Sequence, residues 1–101
     1  MKFRVKFEPE AEAEIIEAFN WYEEQSFGLG GEFLRAVKQA EAVIARNPYL
    51  YQMHYRDLRR AYLRRFPYAL HYLVEGNEVS VVSCFHFRRD PKRWIFEERR
   101  Q

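Results

Sequence analysis

Residues 69–87 read Ala69-Leu70-His71-Tyr72-Leu73-Val74-Glu75-Gly76-Asn77-Glu78-Val79-Ser80-Val81-Val82-Ser83-Cys84-Phe85-His86-Phe87. Two runs rich in aromatic and β-branched residues flank a Gly-Asn pair, and glycine accepts the positive φ that the first position of this two-residue hairpin turn requires. The spacing predicts a strand over Ala69–Val74, a turn at Gly76-Asn77 and an antiparallel strand over Glu78–Phe87. Val79, Val81, Val82, Cys84 and Phe85 are apolar on both alternating faces. That pattern belongs to a central strand covered on both sides over part of its length.

Moving toward the amino terminus, Ala61–Phe66 reads as a further strand interrupted by Pro67, with Arg60, Tyr62, Arg64 and Phe66 expected on one face. Before it the apolar period is helical. Phe33, Val37, Ala40 and Ile44 form one stripe, stopped at Asn47-Pro48 because the residue before proline is pushed out of the α region. An earlier stripe runs Ala11, Ile15, Ala18 or Phe19, and Tyr22, within a helix from about 9 to 25. Pro9 suits its first turn, and Glu10, Glu12 and Glu14 place negative charge at its positive end. Gly28, Gly30 and Gly31 separate the two stripes into a helical hairpin. The glutamates Glu10, Glu14, Glu17 and Glu24 are expected mainly in water. Phe3-Arg4-Val5-Lys6-Phe7 alternates as a half-solvated strand. At the other end, Asp90-Pro91 reads as the cap and first residue of a short helix containing Trp94. The expected fold is α+β in the order β-α-α-β-β-β plus that short helix, a small antiparallel sheet packed by an α-helical hairpin.

The chain has 101 residues, 48% of them hydrophobic and 18% aromatic, which suffices for one core and one domain over 1–101. No apolar run approaches the roughly 18–20 residues that span a bilayer, and no signal-peptide core follows the first basic residues, so a soluble, cytoplasmic protein without a membrane partner is expected. The single cysteine, Cys84, excludes an intramolecular disulfide and a cysteine-based metal site, and no metal or cofactor is expected. The net charge is only +2, but residues 1–50 carry 6 Lys/Arg against 9 Asp/Glu and residues 51–101 carry 11 against 6. A basic surface built by the second half would attract nucleic acid or an anionic protein segment.

Four stretches in this order resemble the RelE/ParE toxin superfamily: Phe19-Asn20-Trp21-Tyr22-Glu23-Glu24-Gln25, Ile44-Ala45-Arg46-Asn47-Pro48, Arg65-Phe66-Pro67-Tyr68 with His71-Tyr72, and His86-Phe87-Arg88-Arg89-Asp90-Pro91-Lys92-Arg93-Trp94. The resemblance covers nearly the whole chain. It implies the toxin of a type II toxin–antitoxin system, of the kind first met as plasmid-stabilisation proteins, which limits growth unless a cognate antitoxin covers it. RelE-like members cleave messenger RNA on the ribosome, whereas ParE-like members poison DNA gyrase by binding.

Cleavage by attack of a 2′-hydroxyl on its phosphate needs a proton acceptor, cations for the phosphorane and a donor for the leaving oxygen. The resemblance places an arginine of the ribonucleases at a position that is Ala69 here, and a titratable carboxy-terminal residue where this chain has Trp94. A methyl group cannot stabilise a phosphorane, and an indole N–H does not exchange protons at neutral pH. A ParE-like binder is therefore the expected function, with an endoribonuclease using His86, Arg65 and Arg88 as the alternative. A non-toxic antitoxin-binding or autoregulatory protein is the third. Arg60, Tyr62, Arg64, Arg89, Arg93 and Trp94 are the expected contacts to antitoxin or target, since interleaved cations and aromatics suit both RNA and an acidic peptide. Solvated arginines and a tryptophan anchoring the terminal segment are the plainer explanation of the same residues.

Overall fold

The computed structural model describes residues 2–89. Its elements are β1 (Arg4–Phe7), α1 (Pro9–Gln25), α2 (Leu29–Arg46), β2 (Met53–Tyr55), β3 (Leu58–Tyr62), β4 (Tyr68–Glu75) and β5 (Glu78–His86). The β-α-α-β-β-β order stands, with the short strand β2 added. The terminal helix expected from Asp90, together with Arg93 and Trp94, lies outside the described residues.

One five-stranded sheet runs β1-β5-β4-β3-β2. Strands β2 to β5 are antiparallel neighbours, while β1 lies parallel to β5 with Val5 opposite Val79 and Phe7 opposite Val81. The sheet is thus mixed at one edge, because the helical hairpin carries the chain across one face before the meander begins. The β4–β5 hairpin closes through Gly76 at φ 61°, with Glu75 opposite Glu78. Between His71 and Tyr72 the register shifts by one, since their partners are Ser83 and Val81 and Val82 is left over as a bulge.

Strand β3 departs from the expected Ala61–Phe66. It begins at Leu58 and ends at Tyr62, and residues 64–67 form the turn into β4. Leu63 N–H donates to the Tyr68 carbonyl at 2.9 Å, and Arg65 takes a left-handed φ of 70°. The turn drives Phe66 into the core, where its ring meets those of Tyr22 at 5.0 Å and Phe33 at 5.5 Å. Phe66 and Arg64 therefore do not share an exposed strand face with Arg60 and Tyr62, a correction to the alternation read from sequence.

The two helices cover one side of the sheet. Ala11 and Ala18 of α1 and Phe33, Val37, Ala40 and Ile44 of α2 pack on Ala61, Leu70, Tyr72, Val79, Val81 and Cys84. The hairpin between them is tight. A Cβ on Gly30 would lie 2.8 Å from both Phe19 Cδ1 and the Phe19 carbonyl oxygen. Gly28 holds φ at 88°, and the Glu23 carboxylate accepts the N–H groups of Gly28 and Gly30 at 2.9 Å each, capping α2 from the preceding helix. After α2, the Tyr72 hydroxyl donates to the Pro48 carbonyl at 2.7 Å and ties the loop to the sheet. Glu14, read from sequence as solvated, instead accepts the backbone N–H of Cys84 at 2.8 Å, beyond the point where β1 stops pairing.

Candidate functional site

Register assigns the face turned away from the helices. Arg60 pairs with His71 and His71 with Ser83; Tyr62 pairs with Ala69 and Ala69 with Phe85. Their neighbours Ala61, Leu70 and Cys84 point the other way, into the helical layer. The outer face therefore carries Arg60 and Tyr62 as expected, and adds His71 and Phe85.

These side chains form one connected group. Arg60 Nε donates to His71 Nε2 at 3.1 Å and Arg60 Nη1 to the Tyr62 hydroxyl at 3.1 Å. The guanidinium lies 5.1 Å from the Phe85 ring centre, and the His71 and Phe85 rings stack at 4.5 Å with 33° between their planes. Because Nε2 of His71 accepts a hydrogen bond, its proton belongs on Nδ1 and the ring is neutral. Burial, then the charge of Arg60, then His54, lower its pKa to about 3. His54 is lowered too, by burial first and Arg60 second. This is an arrangement for holding a cation among rings, with His71 kept uncharged beside it.

A second group forms at the end of β5. The His86 ring stands 5.0 Å from that of Tyr68, and its Nδ1 accepts the N–H groups of Arg88 at 3.2 Å and Arg89 at 2.9 Å. Those bonds make Nδ1 an acceptor for the turn that follows β5. Arg89 Nη2 donates to the Tyr68 hydroxyl at 3.0 Å, and its guanidinium lies 5.9 Å from the Trp21 ring centre. Burial raises the Tyr68 pKa, and Arg89 opposes that shift. Tyr62 reaches the same end of the sheet through an edge contact with Phe87 at 5.2 Å.

Arg65 belongs to a third place. It is bonded to Glu32 of α2 at 2.6 Å, with exposed Arg64 beside it on the turn. The three residues named for cleavage are thus divided: His86 and exposed Arg88 follow β5, while Arg65 is engaged with α2. Likewise, of the six residues named for partner contact, the four that are described are spread, with Arg60 and Tyr62 on the outer face, Arg89 on Tyr68 and Arg64 on the turn. Sequence reasoning missed the roles of Tyr68, Phe85 and Trp21, because only strand register and helix packing bring them to the arginines. Among the described residues, no three His, Cys, Asp or Glu side chains are grouped to hold a metal ion, and no helix is long and apolar enough to cross a membrane.

A helical hairpin laid on one face of a small sheet is the fold expected of the RelE/ParE toxins. The family described as "ParE toxin of type II toxin-antitoxin system, parDE" matches residues 5–91, and the chain belongs to it. Among solved structures it is similar to a chain of the chromosomal ParDE toxin–antitoxin system from P. aeruginosa, at a TM-score of 0.63 and 15% identity. The similarity covers 84% of this chain and 96% of that one, and at this identity it establishes the fold. No curated protein matches significantly.

Proposed function

We propose that this ParE-family toxin acts by binding, with DNA gyrase as its target, and that a cognate antitoxin neutralises it. The observation that carries the first part is Ala69. It is fully buried between Tyr62 and Phe85 in the register of the outer face, so a methyl group occupies the place where the resemblance puts an arginine of the ribonucleases. The neighbouring cations support the same reading, since Arg60 is bonded to His71 and Tyr62, Arg65 to Glu32 and Arg89 to Tyr68. His86 holds a turn with its Nδ1, which leaves that nitrogen occupied rather than poised as a base.

Pairing with an antitoxin is supported by family membership and by the similar chain's origin in a ParDE system. The antitoxin's acidic residues would meet Arg64 on the β3–β4 turn and Arg88 and Arg89 after β5, all three exposed. Arg60 is a poorer test residue than its exposed neighbours, because replacing it would disturb His71 and Phe85.

Induction without the antitoxin is expected to stop growth, and purified toxin to inhibit gyrase in a supercoiling assay. Codon-linked cuts in messenger RNA by primer extension, with gyrase unaffected, would replace this reading with the endoribonuclease. Unchanged growth would leave the non-toxic, antitoxin-binding role. Co-expression with the product of an adjacent reading frame, followed by size exclusion, tests the pairing, and Arg64→Glu with Arg88→Glu is expected to weaken it.

A further inference from the structure

A cavity of about 540 Å³ opens between α2 and the β3–β4 turn, away from the outer sheet face. Glu32, Arg35, Gln39, Arg64 and Arg65 line it, with Ala36 and Phe66 as its apolar floor. Its charges do not cancel. Glu32 is taken by Arg65 at 2.6 Å, and among the described residues no carboxylate pairs with Arg35 or Arg64. Two positive charges therefore face one concavity, beside an amide side chain able to donate further hydrogen bonds.

The turn that supplies Arg64 is held in an unfavourable shape. Arg65 sits at φ 70°, a left-handed conformation that disfavours a side chain. The Glu32 ion pair and the packing of Phe66 into the core keep it there.

We propose that this pocket binds a phosphate group carried as a terminal dianion, with Arg35 and Arg64 neutralising its two charges and Gln39 donating to a third oxygen. A phosphate monoester carries close to two negative charges at neutral pH and offers three strong acceptors, and planar guanidinium groups match that geometry. A concavity with two cations suits one terminal phosphate better than the evenly spaced single charges of a nucleic-acid backbone.

The test is a titration of purified protein with inorganic phosphate, pyrophosphate and a nucleoside 5′-monophosphate at fixed ionic strength, followed by amide chemical shifts. Shifts centred on residues 64–66 and on α2 near Arg35 and Gln39 are expected, with binding weakened at least tenfold in Arg35→Gln/Arg64→Gln and unchanged in Arg4→Gln on β1. Equal affinity for the three ligands would identify free phosphate as sufficient, whereas tighter binding of the nucleotide would identify a small phosphorylated molecule. Equal binding by wild type and the double variant, with both folded by circular dichroism, would overturn the assignment. So would equally strong displacement by a duplex lacking terminal phosphates. Neither result would bear on gyrase inhibition, and because Arg64 is also an expected antitoxin contact, the single variant Arg35→Gln, confined to the pocket, keeps phosphate binding and antitoxin pairing distinguishable.

Discussion

Adjacent glycines at the start of α2 are expected to respond to the same substitution with opposite signs. In Gly30→Ala the new methyl group would lie 2.8 Å from Phe19 Cδ1, 2.8 Å from the Phe19 carbonyl oxygen and 2.9 Å from Glu23 Oε1. The phenyl ring can rotate away, but the carbonyl is part of α1 and moves only if the helices separate. Separation also lengthens the bonds from Glu23 to Gly28 and Gly30. Overpacking of this kind destabilises by about 1–3 kcal/mol, which over most of that range outweighs the roughly 1 kcal/mol that alanine gains over glycine inside a helix. At Gly31 the nearest atom would be Arg35 Nη1 at 3.8 Å, an ordinary contact, so only the helix preference remains. A net loss of up to about 2 kcal/mol for Gly30→Ala corresponds to a fall in Tm of as much as roughly 16 °C, while Gly31→Ala should raise Tm by a few degrees. Thermal melts by circular dichroism, with urea titrations to confirm unchanged m-values, read both effects. If Gly30→Ala were as stable as Gly31→Ala, the close approach of the two helices described above would be wrong.

Two further perturbations probe the sheet. Tyr72→Phe removes the hydroxyl bonded at 2.7 Å to the Pro48 carbonyl and is expected to destabilise by about 1–3 kcal/mol, measured by urea denaturation; no change would mean that water satisfies that carbonyl. For His71, the folded pKa of about 3 lies below the ordinary 6.5, so the unfolded chain takes up the proton first as pH falls. Stability from this residue is full above pH 6.5 and declines toward pH 3, by about 2 kcal/mol between pH 7 and pH 5. His71→Gln should remove that part of the acid sensitivity, and identical pH 7 to pH 5 losses in both proteins would contradict a buried neutral ring.

The helices were legible because their stripes are long and bounded by residues with one conformational meaning, Pro9 at the start and Asn47-Pro48 at the end. The β4–β5 hairpin was legible through Gly76. Two features were not. Strand β2 spans three residues, two of them exposed, too few for a period to register. The stretch Ala61–Phe66 alternates like a strand, yet the rigid φ of Pro67 and the burial of Phe66 favour a turn, and that preference depends on a core the local sequence does not contain. The same limit applies to the candidate site. Arg60 and Tyr62 share a face by simple alternation, whereas His71 and Phe85 join them only through the pairing of β3, β4 and β5. The parallel direction of β1 left no trace in its own alternation, which is equally good for either sense.

The bond between Glu14 and the Cys84 backbone sets a ruler between the two layers. Each residue added between Phe7 and Glu14 would swing the carboxylate about 100° around the helix axis and shift it roughly 1.5 Å along it, stranding a strand amide. Natural insertions in proteins built this way should therefore collect in the α1–α2 tip or the loop before β2, and the seven residues that follow Phe7 should keep their length even where their identities drift.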